Sequence, residues 1–188
     1  MSFIHLQDPV STKASMSVIF APTTYAVVII FDPLSAYLQK RIDPRILVLG
    51  GVVCMATALF LAPFSQDYVQ FLMLYGFLAN SGATLLTIVA LLCSWEWFPD
   101  VRGQVTGIVL AFQAMSRGVI AFAGLFILNP HSLPLENPSG DGVNFFYPES
   151  VGERVPLYCT LVASYISVVG LTGAFFIKRN EDIVQKDV

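Results

Sequence analysis

The sequence predicts an all-α integral membrane protein of about five transmembrane helices, on three observations. First, 55% of its 188 residues are hydrophobic and only 12% are charged, half the share of about 25% usual in soluble domains. The mean hydropathy is +0.69. Second, a short polar island at residues 94–107 separates two long apolar runs: residues 68–93 carry no charge, and residues 103–128 carry one, Arg117. About 20 apolar residues cross a bilayer as a helix, so each run is long enough. Third, the other apolar runs end the same way, at prolines and compact basic turns.

In chain order, residues 1–15 are a polar lead containing Pro9, and the transmembrane bundle occupies 16–178. The first span, about 16–38, contains Pro22 and Pro33. Membrane helices tolerate proline where neighbours satisfy the freed carbonyls. The basic turn Lys40-Arg41-Ile42-Asp43-Pro44-Arg45 leads to a second span at about 46–63, ended by Pro63. The third span, about 68–94, runs into the island, where Trp95, Trp97 and Phe98 suit the headgroup belt and Pro99 stops the helix. The fourth span, about 103–128, ends at Asn129-Pro130. A Pro/Gly/Asn-rich loop follows at 129–154, and its apolar tip, Phe145-Phe146-Tyr147-Pro148, is expected to fold over the outer mouth or dock on a neighbour. The fifth span is about 155–177, and a charged tail occupies 179–188.

With five alternating spans, Lys40, Arg41, Arg45, Arg102, Lys178, Arg179 and Lys186 share one side, leaving Lys13 and Arg154 on the other. The positive-inside rule then puts the turns 39–45 and 95–102 and the C-terminus on the inner, cytoplasm-equivalent side. It puts the N-terminus outside, which leads us to expect a further helix ahead of residue 1. No address signal names the membrane.

Several function classes are excluded. A net charge of −3 with no large basic block leaves nothing to grip nucleic acid. Cys54, Cys93 and Cys159 lie far apart in apolar runs, and His5 and His131 have no metal-ligand spacing. No nucleophile–base pair is visible, so an enzyme is not expected, nor a metal or cofactor.

The candidate functional residues are few. Arg117 sits near the middle of an apolar run, where an arginine costs about 2.5–3.5 kcal/mol on insertion scales. Helix arithmetic sets it level with Asn80 to Thr84 on the preceding span, with Gln113 on its own span close by. Two readings of it stand: a planar fork that clamps a substrate carboxylate, or a structural cation paired with Asp32, with carbonyls or with a partner. Asp32 is either a proton site or a carboxylate reaching interfacial water. Lys40, Arg41, Arg45, Asp100 and Arg102 either form gate ion pairs or fix the helix exits. Gly103 and Gly107 form a G-x-x-x-G, and with Ala79, Gly82 and Ala83 on the facing helix they predict that the third and fourth spans pack tightly.

Two motifs carry a family resemblance. Pro33-Leu34-Ser35, then Arg41, Pro44-Arg45 and Gly50, resemble the loop between helices two and three of the major facilitator superfamily, whose pattern is G-x-L-x-x-x-x-x-D-R-x-G-x-R. Tyr75-Gly76-Phe77-Leu78-Ala79, the small residues 81–83, and Trp97-Phe98-Pro99-Asp100-x-Arg102-Gly103-x-x-x-Gly107 resemble helix four of that superfamily and its exit. A W-F-P-x-x-R-G turn recurs in its oxalate/formate antiporter–monocarboxylate porter branch, and a nodulin-like branch has a similar turn. Arg154-Val155-Pro156 after the long loop resembles insertions in protist members of the porter branch. The chain departs from the first motif at Asp32 and Asp43, where the family has glycine, and at Lys40, where it has aspartate.

The resemblance implies helices 2–6 of a twelve-helix transporter, lacking helix one and the C-terminal half. Such transporters rock one half against the other around a midplane site. Two functions follow. One is a partial or degenerate half of a transporter for monocarboxylates or similar small organic anions. The alternative is a non-transporting structural subunit of a larger membrane complex. The partners implied are the lipid bilayer and either the missing helices or other membrane subunits.

Overall fold

The computed structural model describes residues 13–133 and 149–178, with side chains from Pro22 and from Ser150 onward. The polar lead to residue 12, the apolar loop tip at 145–148 and the charged tail lie outside the described residues.

Among the described residues there are five long helices: α1 (Lys13–Gln39), α2 (Pro44–Leu61), α3 (Tyr68–Trp97), α4 (Arg102–Leu128) and α5 (Val155–Phe176). Counting their flanking turns, α2 to α5 are long and apolar enough to cross a membrane. The chain is thus a multi-pass membrane protein. About five spans were expected; among the described residues four meet that test, while α1 is 27 residues long and holds Pro22, Asp32 and Pro33.

Local chemistry sets the helix ends. Asp43 caps α2, its Oδ1 accepting from the Arg45 N–H at 2.8 Å, and Pro44 takes the first helical position, where its missing N–H costs nothing. Asp67 does the same for α3 through the Gln70 N–H at 2.8 Å, and the Gln70 side chain reaches back to the Gln66 N–H at 3.0 Å. Such reciprocal bonds satisfy donors that a helix start leaves open. At the other end of α3 the chain turns through Pro99–Val101 into α4. The island tryptophans act there as pins. Trp95 Nε1 donates to Thr106 Oγ1 at 2.8 Å, and Trp97 Nε1 donates to the Lys178 carbonyl at 2.7 Å.

The middle of the bundle is α2, which packs broadly on α3 and α5, while α1 packs on α3. The buried cluster Leu47, Val48, Val52, Val89, Cys93 and Ala174 closes the end of the bundle that holds the 40–43 and 98–101 turns. Lipid supplies no hydrophobic drive between helices, so close backbone approach has to supply the contact. It does so between α2 and α3, where a Cβ on Gly82 would lie 2.6 Å from the Gly51 carbonyl oxygen, and between α2 and α5, where a Cβ on Gly170 would collide with Val52.

The packing expected from Gly103 and Gly107 is a correction. A Cβ at either glycine would meet nothing within 4 Å, and Gly82 faces Gly51 of α2 rather than α4. Helix α4 is the least enclosed of the five, with Gly124 its one buried residue. Spacing shows that two glycines share a face, but not what lies opposite.

Candidate functional site

A cavity of about 730 Å³ lies in the half of the bundle away from the closed end, and every long helix contributes to its lining. Helix α1 supplies Thr24 and Tyr25, α2 supplies Met55 and Leu59, and α3 supplies Tyr75 and Asn80. Helix α4 brings Arg117, and α5 brings Tyr158 and Cys159. The volume falls within the range of small-molecule sites, about 300–1,000 Å³, and the lining has their character: mostly apolar, with a few polar groups.

The α3 wall is not an ordinary α-helix. Residues Leu72–Ala79 wind as a π-helix, and α-helical geometry resumes at Asn80. Wide turns of this kind are uncommon and often sit at functional sites. Asn80 stands at the junction, and its side-chain amide donates to the carbonyls of Tyr75 and Gly76 at 3.0 and 2.9 Å. On α5, the Tyr158 hydroxyl donates to the Ile120 carbonyl of α4 at 3.2 Å, and its ring is the nearest neighbour to a Cβ built at Gly124. The small residue at 124 lets the ring approach α4.

Arg117 is exposed along the cavity face of α4 and makes no ion pair among the described residues. The pairing with Asp32 that a structural reading suggests is therefore absent there. Of the residues expected level with Arg117, Asn80 shares its cavity, whereas Thr84 is buried and does not line it. Gln113 turns to α3 instead, donating from Nε2 to Thr87 Oγ1 at 2.7 Å. The cavity can thus offer one planar cation, hydroxyl and amide groups, and an apolar floor.

The candidate gate residues lie elsewhere. Asp32 is half-buried on α1, and Lys40, Arg41, Arg45, Asp100 and Arg102 are exposed. Among the described residues none of these six forms an ion pair with another. The Arg41 guanidinium sits 5.2 Å from the Tyr37 ring centroid, and Arg45 Nε donates to the Ile177 carbonyl at 3.0 Å, tying the start of α2 to the end of α5.

Sequence reasoning missed Thr24, Tyr25 and Tyr158, noted Tyr75 only as part of a motif, and set Cys159 aside as one of three scattered cysteines. Each lies in an apolar run whose letters give no sign of which way the side chain faces.

Comparison with known proteins follows the same lines. The Major Facilitator Superfamily profile matches residues 5–135. Over 186 residues the chain is 30% identical to apicoplast pyruvate carrier 1 of Toxoplasma gondii, which covers 92% of this chain and 32% of the carrier. It is 27% identical over 115 residues to the fujikurins efflux protein of Gibberella fujikuroi, covering 61% of this chain and 24% of that protein. The chain spans about a third of the first relative's length and less of the second's. No solved structure matches it. The profile, the two turn motifs and the bundle of apolar helices agree, and the chain belongs to the Major Facilitator Superfamily.

Proposed function

We propose that this chain is part of a transporter for monocarboxylates or similar small organic anions, of the oxalate/formate–monocarboxylate type, with Arg117 as the carboxylate-binding group. One observation carries the reading: an arginine with no ion-pair partner among the described residues lines a cavity to which all five long helices contribute. A guanidinium held at membrane depth is costly unless it is paired, and a bidentate carboxylate matches its fork. The relative named a pyruvate carrier supports a carboxylate cargo, while the name of the efflux protein points to a different one. The further helices such a transporter needs would cover the open face of α4, where Phe112, Met115, Val119 and Phe122 stand exposed. The inner side is proposed to be the end that carries the 40–43 and 98–101 turns.

The test is uptake of labelled pyruvate by proteoliposomes containing the full-length product that includes this chain. A charge-assisted hydrogen bond is worth about 1.5–3 kcal/mol, so Arg117→Ala should lower kcat/KM by roughly 10- to 100-fold. Arg117→Lys should recover part of the loss, because it restores the charge without the fork. Unchanged uptake by Arg117→Ala would sink the assignment.

A second reading, a non-transporting structural subunit, is favoured by how the 37–45 segment is used. Asp43 caps a helix, Arg45 ties α2 to α5, and Arg41 lies against a ring. Gentle solubilisation, a native gel and mass spectrometry of the band separate the two. A large assembly of unrelated subunits with no uptake would establish the second.

A further inference from the structure

Asn80 and Tyr158 border the cavity with their protons already in use. Both N–H groups of the Asn80 amide go to helix carbonyls, at 3.0 and 2.9 Å. Those two partners also fix which way the amide points: rotated by half a turn, its oxygen would face two carbonyl oxygens at hydrogen-bond distance. Only Oδ1 of Asn80 is left to meet a ligand. The Tyr158 hydroxyl gives its single proton to the Ile120 carbonyl, so its oxygen can only accept from the cavity side. In the cavity that Arg117 also lines, these two polar groups therefore present acceptors.

We infer that this cavity selects monocarboxylates carrying a hydrogen-bond donor on the carbon next to the carboxylate, so that a 2-hydroxy acid is favoured over the matching 2-oxo acid. The inference rests on the reading of the cavity as a monocarboxylate site. The carboxylate meets Arg117 in both ligand types, and the difference lies at the second carbon. A hydroxyl there donates to Asn80 Oδ1 or Tyr158 Oη. A keto oxygen brings a lone pair against the same lone pairs and gains no bond from these two groups.

The experiment uses the full-length product in proteoliposomes and measures inhibition of labelled pyruvate and labelled lactate uptake by lactate, 2-methoxypropionate, propionate and pyruvate. The methyl ether keeps the oxygen of lactate and removes its proton, so it isolates the donor. Lactate should inhibit at a concentration about tenfold lower than pyruvate, propionate or the ether, as one hydrogen bond implies. Asn80→Leu should bring the inhibitory concentrations of lactate and propionate together, whatever its effect on the overall rate. If that variant does not fold, the ligand series on the unaltered protein still decides. Pyruvate equal to or better than lactate, or an ether as effective as lactate, overturns the inference and leaves the monocarboxylate reading standing. Absence of uptake and of competition by every acid in the series overturns both.

Discussion

A close approach of the α2 and α3 backbones predicts a clear stability defect. Replacing Gly82 with alanine would set a methyl carbon 2.6 Å from the Gly51 carbonyl oxygen and 2.9 Å from the Met55 backbone nitrogen. Ordinary contact begins near 3.4 Å, so α2 and α3 would have to separate by about 0.8 Å at that level. The obstructing atoms are backbone, and no rotamer change relieves them. Overpacking of this kind costs about 1–3 kcal/mol, against which alanine returns the helix propensity lost at glycine, about 0.5–1 kcal/mol. A net loss of up to about 2.5 kcal/mol lowers the melting temperature of a chain this size by up to about 10 °C. The assay is thermal loss of the monodisperse peak of the full-length product in detergent. Gly103→Ala is the control: nothing stands within 4 Å of its new methyl, so stability should hold or rise slightly. If Gly82→Ala melts with or above the unaltered protein, the close crossing of α2 and α3 is refuted.

Two further outcomes follow from single bonds. Trp97→Phe keeps the ring but removes the indole N–H that holds the Lys178 carbonyl; the end of α5 should fray, read as faster proteolysis after Phe176 with the helical content unchanged. Gln113→Leu and Thr87→Val each remove one side of the bond linking α4 to α3, and a double-mutant cycle on thermal stability should return a coupling of about 0.5–1.5 kcal/mol.

How much of this could be read in the sequence varies by level. The helices were legible because each is a long apolar run with few charges. Two of the starts, at Asp43-Pro44 and Asp67, carry residues whose side chains or ring suit a first turn. Arg117 was legible because it is the one charge in its run. Its cavity neighbours on α1 and α5 were not. In a soluble helix the polar face marks the outside, but a membrane helix is apolar toward lipid and toward its neighbours alike, so Tyr158 and Thr24 give no sign of the direction they face. Glycine is equally silent. Gly82, Gly103 and Gly107 look alike in the run of letters, yet one is pressed against a carbonyl and two face open space.

The wide turn at Leu72–Ala79 explains a further blind spot. At the α-helical 100° per residue, Tyr75 and Asn80 would stand about 140° apart around the axis and could not both border one cavity. A ladder that closes five residues on, rather than four, brings them toward the same side. The wall therefore depends on a surplus residue stored in the helix. Deleting a single residue between 72 and 79 would let α3 rewind to ordinary pitch with its apolar length almost unchanged. A hydropathy profile would register nothing, yet the cavity would lose the alignment of the tyrosine with the asparagine.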